Sequence, residues 1–299
     1  TGGGTPICAP GLPTAFAAVP ASLSLPAARC GVTFDALGKS TGALHYALMD
    51  LAADGVPDLV VHKDDCDPDL GHARWDVYAG SASGIAQSPA AYSLPAARCG
   101  VAFDRLAQSS GALEYALLDA TGDGVADLVV HQDDCDATLG GTHWDVYAGS
   151  ASGFAPTPAP LSLPAARCGV AWDELGRATG ALEYSLMDLS GDGFADLVVY
   201  QDDCDAAIGQ ARWDVYAGSA GGFAASPTAY TLPAARCAVS WDKPARSTGA
   251  LKYSLLDLSG DKRSDLVVLR DDCDAPVGQS RWDVYAGSAA GFAAAPSPH

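Results

Sequence analysis

The stretch "DLSGDGFADLVVYQDDCD", residues 188–205, sets two groups of aspartates on either side of the apolar run "LVV". A short valine-rich run bounded by Gly, Asp and Ser reads as a buried strand, with a tight turn before it and a polar loop after it. Close copies stand at 50–67, 119–136 and 257–274. Cys66, Cys135, Cys204 and Cys273 repeat at a step of 69 residues, as do Cys30, Cys99, Cys168 and Cys237, and Trp75, Trp144, Trp213 and Trp282. A period this regular marks a tandem array in which each copy is one supersecondary unit.

Within a copy, "ALEYSLMD" (181–188) alternates, with Leu182, Tyr184 and Leu186 on one face. The strand signals "DLVVY", "RWDVYAG" and "TAYTLP" follow, separated by the turn "LSGDGFA", the loop "QDDCDAAIGQA" and the turn "SAGGF". Four short antiparallel strands describe a propeller blade. No segment has the length and periodicity of a long helix. The fold expected is all-β: a four-bladed β-propeller with repeats at about 26–94, 95–163, 164–232 and 233–299. The N-terminal "AFAAVPASLSLPAARC" resembles "GFAPTPAPLSLPAARC" (153–168), whereas "GFAAAPSPH" stops just short of a fourth strand. We therefore expect residues 20–26 to complete the last blade and close the ring, which removes an exposed sheet edge. Residues 1–19 read as an extension, and 20–299 as a single propeller. An open solenoid is the alternative.

Composition narrows the function. The chain has 299 residues, 48% of them hydrophobic, and a formal charge of −19. So acidic a surface repels phosphate backbones and anionic lipid, which argues against nucleic acid and membrane insertion and for cations or neutral polyhydroxyl ligands. The apolar runs are too short to cross a bilayer, and Thr1 follows no signal peptide. We expect a mature, secreted chain. None of the six histidines recurs in all four copies, which weakens general-base catalysis.

On "DLSGDGFADLVV" (188–199) and "WDVYAGSAGGF" (213–223), with counterparts in every copy, the chain resembles the FG-GAP/VCBS repeat family over roughly residues 20–292. The resemblance implies a β-propeller used for extracellular recognition, as in lectins, integrin α-chain heads and accessory modules of extracellular enzymes, with calcium in many of the turns. Carried over residue by residue, the calcium ligands are Asp188, Ser190, Asp192, Phe194 (carbonyl) and Asp196 in the third copy. In the second copy they are Asp119, Thr121, Asp123, Val125 and Asp127, and in the first Asp50, Asp54, Val56 and Asp58, with Ala52 at the third position. In the fourth copy Asp257, Asp261 and Asp265 persist, but Lys262 and Arg263 intrude. Calcium takes six to eight oxygens, so ligand count favours the second and third turns over the first, and the fourth least. Alternatively these aspartates only cap turns by accepting backbone N–H bonds.

The second aspartate group is "DDCD" in every copy: Asp64, Asp65 and Asp67; Asp133, Asp134 and Asp136; Asp202, Asp203 and Asp205; Asp271, Asp272 and Asp274. In a propeller this loop and the "AARC" connection between blades open on one face. The expected disulfides are Cys30–Cys66, Cys99–Cys135, Cys168–Cys204 and Cys237–Cys273, each worth about 3–4 kcal/mol on the chain-entropy estimate. They imply an oxidising compartment. Cys8 is left over, for self-association or as a free thiol. The bridges bring Arg29, Arg98, Arg167 and Arg236 near the carboxylates, either as an ion-pair knot or, with Phe34, Phe103, Trp172 and Trp241, as a sugar-binding surface of arginine, carboxylate and ring face. Plain core packing is the alternative for those four rings, and core is the expectation for the "RWDVYAG" tryptophans.

No serine nucleophile elbow, zinc-binding HExxH or phosphate-binding loop is present. Equivalent loops favour binding, because a catalytic centre needs residues that break the repeat. The function expected is a calcium-braced, carbohydrate-binding propeller with several equivalent sites and no enzymatic activity. The alternative is an adhesive scaffold that binds other protein chains.

Overall fold

The computed structural model describes residues 22–299. Four sheets, each built on four antiparallel strands from one repeat, form the blades of a β-propeller, with two-residue strands added at the edges of the first and third. The first contains β1 (Leu44–Met49), β2 (Asp58–Asp64), β3 (Arg74–Tyr78) and β4 (Ala90–Ser93). The second contains β5 (Leu113–Leu118), β6 (Asp127–Asp133), β7 (His143–Tyr147) and β8 (Ala159–Ser162). The third contains β9 (Leu182–Met187), β10 (Asp196–Asp202), β11 (Arg212–Tyr216) and β12 (Thr228–Thr231). The fourth contains β13 (Leu251–Leu256), β14 (Asp265–Asp271), β15 (Asp283–Tyr285) and β16 (Ser297–Pro298). The "LVV" strands β2, β6, β10 and β14 are second in each sheet and covered on both faces, which is why they read as continuous apolar runs rather than alternating ones.

Apolar side chains meet between blades. Trp75, Trp144 and Trp213 are fully buried, and each donates its indole N–H to a carbonyl of the next blade: Phe103 at 2.7 Å, Trp172 at 2.6 Å and Trp241 at 2.6 Å. Each also stands edge-on to an aromatic ring of that blade, Phe154, Phe223 or Phe292, at 5.5–5.6 Å between centroids. Parallel bridges add backbone pairing, from Ser93 to Gly153, Ser162 to Gly222 and Thr231 to Gly291. Glycine is required there. At Gly153 φ is +143°, and a Cβ would fall 2.5 Å from the Ser93 nitrogen.

The expected ring closure is corrected. The last blade takes its fourth strand from the C-terminal segment: Asp283 pairs with Pro298 and Val284 with Ser297. Trp282 and His299 then exchange two backbone bonds of 2.7 and 2.9 Å. Ser24 bridges Gly84 of the first blade, the place Ser93 takes toward the second. Within "ASLSLP", the described residues thus sit as the strand preceding the first blade, in the register of every other repeat. Residues 20 and 21 and the 1–19 extension, with Cys8, lie outside the described residues. Among the described residues no hydrogen bond, ion pair or aromatic contact joins the fourth blade to the first.

Candidate functional site

The "DDCD" loops begin at the last residue of the second strand of each blade. Disulfides Cys30–Cys66, Cys99–Cys135, Cys168–Cys204 and Cys237–Cys273 tie each loop to the preceding "AARC" turn, with Cα separations of 5.5–5.7 Å. The cysteine of every "AARC" turn adopts φ of 48–51°, a conformation that costs a non-glycine residue energy. The bridge and a two-residue backbone pairing, such as Arg29 with Val32, hold it there.

The arginine of the turn is consumed by the fold. Arg167 donates Nε to Asp202 at 2.5 Å and Nη1 to Asp214 at 2.6 Å, and lies 3.4 Å from the Tyr216 hydroxyl. Arg29 makes the equivalent bonds to Asp64 and Asp76, both 2.5 Å, and Arg236 to Asp271 and Asp283 at 2.8 and 2.6 Å. Arg98 pairs with Asp133 at 3.0 Å and with Asp145. Partial burial works to discharge these guanidinium groups, but the bonds to aspartate and tyrosine outweigh it and hold their pKa above the usual arginine range. A second arginine, Arg74, Arg212 or Arg281, bonds the other oxygen of the same strand aspartate and the last aspartate of the loop. In the second blade His143 stands at that position, its Nε2 3.6 Å from Asp145.

The three aspartates of each loop therefore differ. The first (Asp64, Asp133, Asp202, Asp271) is buried, takes the arginine and caps the cysteine N–H at 2.8 Å. The last (Asp67, Asp136, Asp205, Asp274) is half-buried on the second arginine or histidine side. The middle one is exposed. Asp272 is bonded by Arg270 at 2.7 Å, while Asp65, Asp134 and Asp203 have no side-chain partner among the described residues.

The proposed stacking rings are corrected. Phe34 is 9% exposed, Phe103 1%, and Trp172 and Trp241 not at all. Each stands edge-on to two core tyrosines, as Trp172 does to Tyr184 and Tyr216, and Trp172 donates its indole N–H to the Pro164 carbonyl. No ring face is left for a sugar. The arginines likewise have no free fork. Sequence reasoning also missed Asp76, Asp145, Asp214 and Asp283, the anchors of the knot. The signal was there: a carboxylate at an inward position of "RWDVY", repeated four times and flanked by arginine in three.

At the opposite end of each blade the carboxylates of the turns meet backbone N–H groups. Asp196 is buried; its Oδ2 accepts from Leu189 and Ser190 at 3.0 and 3.2 Å, and its Oδ1 from Gly218 at 2.9 Å. Asp127 and Asp265 do the same, and Asp58 accepts from Leu51 and Gly80. Asp188 accepts from Gly191 and Gly193, and Asp192 from Phe194. Burial raises the pKa of Asp127 and Asp196. Among the described residues, the metal-ligating side chains that converge in threes are Cys30, Asp64 and Cys66 and their counterparts, whose sulfurs are in disulfides. In the turns the aspartates accept backbone N–H bonds, those of Val56, Val125 and Phe194 among them; the Ser190 hydroxyl bonds Asp188, and the Thr121 hydroxyl is buried without a hydrogen-bond partner.

The seams between blades differ at the loop end. Between the first and second, a cleft of about 520 Å³ is lined by Lys39, Ser40, His45, His62, Arg105 and Leu106. His62 donates Nδ1–H to the Asp104 carbonyl at 2.7 Å. At the next seam Glu114 replaces His45, its pKa raised by burial and then by Glu174, Asp173 and Asp134. At the third, Glu183 faces Lys243 at 3.5 Å. The seams thus differ from one another, while the exposed loop aspartates Asp65, Asp134 and Asp203 share one setting and Asp272 is set apart by Arg270.

The molecule is thus a four-bladed β-propeller with one face locked by disulfides and arginine knots. No protein-family model and no curated protein matches the chain. Among solved structures it is similar to a lectin of Agrocybe aegerita, described for specific recognition of non-reducing terminal N-acetylglucosamine, with 17% identity and a TM-score of 0.42 over 86% of this chain and 52% of that one. It is also similar to TcdB2-TccC3, with 15% identity and a TM-score of 0.33 over 79% of this chain and 14% of that one. The chain spans about half the length of the first.

Proposed function

We propose that this protein is an extracellular, carbohydrate-binding propeller of FG-GAP/VCBS type whose ligand meets the "DDCD" face. The observation that carries the proposal is the state of Asp65, Asp134 and Asp203: exposed and without side-chain partners, on loops that disulfides hold still. A carboxylate fixed in this way accepts hydrogen bonds from adjacent hydroxyls with little ordering left to do. The cleft beside the first of these loops has the volume of a small-ligand site and supplies donors from His45, Arg105 and Ser40 beside the apolar Leu106. Weak single sites gain by multivalency. Four disulfides suit an oxidising, extracellular setting. The role proposed is recognition rather than catalysis, since the same loop recurs in all four copies, whereas a catalytic centre needs residues that break the repeat.

The test is a glycan array probed with the protein and with a triple Asp65→Asn, Asp134→Asn, Asp203→Asn variant, each with calcium and with chelator. We expect saccharide binding that the triple variant loses by tenfold or more. Loss of binding in chelator would assign calcium to the turns, and unchanged binding would leave their carboxylates as backbone caps. No binding to any glycan by folded protein would sink the carbohydrate reading and favour an adhesive scaffold.

A further inference from the structure

Each internal seam has two unlike sides. The donor side brings a buried tryptophan, and the acceptor side brings the carbonyl and the ring that receive it. The fourth blade presents a donor side on which nothing sits among the described residues. Trp282 is 45% exposed where its three counterparts are fully buried, and Leu258 is 42% exposed where Leu51 and Leu189 are 1%. A cleft of about 500 Å³ lies between Leu258, Gly278, Trp282 and His299.

The first blade presents the matching acceptor side, also bare among the described residues. Phe34 stands at the repeat position of Phe103, whose carbonyl receives the Trp75 indole, and Ile85 at that of Phe154, whose ring Trp75 meets. Around them Leu37 is 79% and Leu25 53% exposed. Charge matches too. At the first seam Lys63 lies 3.9 Å from Asp104; their counterparts here are Arg270 on the fourth blade and Asp35 on the first. One bond has no equivalent, since Leu269 stands where His62 and His131 donate to the next blade.

We propose that these two faces are the halves of one more seam, made between two copies of the chain: the first blade of one covers the fourth blade of the other, head to tail. Two apolar faces left in water favour association, and continuity with three formed seams says what fits each. Because the two sides are unlike, the contact is heterologous, and it grows into a ring or a filament according to its rotation. This inference is independent of the carbohydrate reading and goes beyond it.

The experiment is sedimentation from about 1 to about 100 μM, since association follows mass action, with iodide quenching of tryptophan fluorescence. A Cys8→Ser background removes any intermolecular disulfide. Trp282 is the one exposed tryptophan of six, so quenching reports this face alone. We expect mass to rise from 30.3 kDa with concentration while quenching falls. Trp282→Asp and Leu37→Asp, both at exposed positions that leave the fold intact, should each remain monomeric alone. Mixed, they should form a one-to-one complex, because each supplies the half the other lacks. A 30.3 kDa species at every concentration overturns the proposal: with Trp282 quenched the face stays open, and with Trp282 shielded the chain closes on itself. Self-association by either variant alone, or none on mixing, overturns it as well.

Discussion

Both ends of a blade are acid-rich, and they neutralise that acid differently. At the turn end Asp58, Asp127, Asp196 and Asp265 are buried among backbone N–H groups and pair with no basic side chain among the described residues. At the loop end Asp64, Asp133, Asp202 and Asp271 are buried against arginine, and a disulfide closes over them. The turn end stitches one blade together, since the staple aspartate joins the first turn to the third. The loop end stitches the blade to its incoming connection. The exposed aspartates of the turn end, Asp54, Asp123, Asp192 and Asp261, each cap a backbone N–H, whereas Asp65, Asp134 and Asp203 at the loop end have no side-chain partner among the described residues, which is why we propose ligand binding there.

The largest test of the difference is to remove the arginine. Arg167→Ala strands Asp202 and Asp214, both buried, without their shared cation. Breaking one side of such a pair costs about 3–5 kcal/mol, most of it the uncompensated charge. A urea unfolding curve should show a loss of that size. A loss under about 1 kcal/mol would place the knot with weak surface ion pairs and erase the contrast. At the turn end, Asp196→Ala orphans three backbone N–H groups without stranding a charge. The expected loss is smaller, about 2–3 kcal/mol, read from the same unfolding curve. If Asp196→Ala costs more than Arg167→Ala, the staples and not the knots are the principal brace.

The sequence carried the architecture because the 69-residue step of cysteine and tryptophan survives in every copy, and strand length and turn chemistry repeat with it. Disulfide pairing was legible for the same reason: one topology brings "AARC" and "DDCD" to one face. Side-chain roles were less so. Trp172 beside Asp173 looks like a stacking site, and its burial depends on Tyr184 and Tyr216, which no local pattern near Trp172 reveals. Asp127 and Asp134 are the same letter seven positions apart, one enclosed by N–H groups and one in water. Trp282 repeats Trp213 to the letter and differs only in what lies across the seam.

Acid separates the two ends by sign, and with the smallest effect. His62 and His131, beside the loops, have pKa values lowered by burial. Folded, they stay neutral below pH 6.5, while the unfolded chain takes up protons there. Their contribution is therefore complete above 6.5 and is lost as pH falls toward their folded values. At the turn end Asp127 and Asp196 have pKa values raised by burial. For them the relation reverses: the folded state is favoured below the ordinary carboxylate range and loses that advantage as pH rises through the folded values. Between about pH 7.5 and 5.5, the window in which histidine charge changes, the two histidines act against the folded state, opposite in sign to the buried carboxylates. The denaturation midpoint should fall across it. The double variant His62→Tyr, His131→Tyr, which copies Tyr200 of the third blade, should flatten the fall, because that hydroxyl bonds the Arg177 carbonyl without titrating in this range. An equal fall in the double variant would move the acid sensitivity away from the loop end, and the two ends would no longer differ in their response to pH.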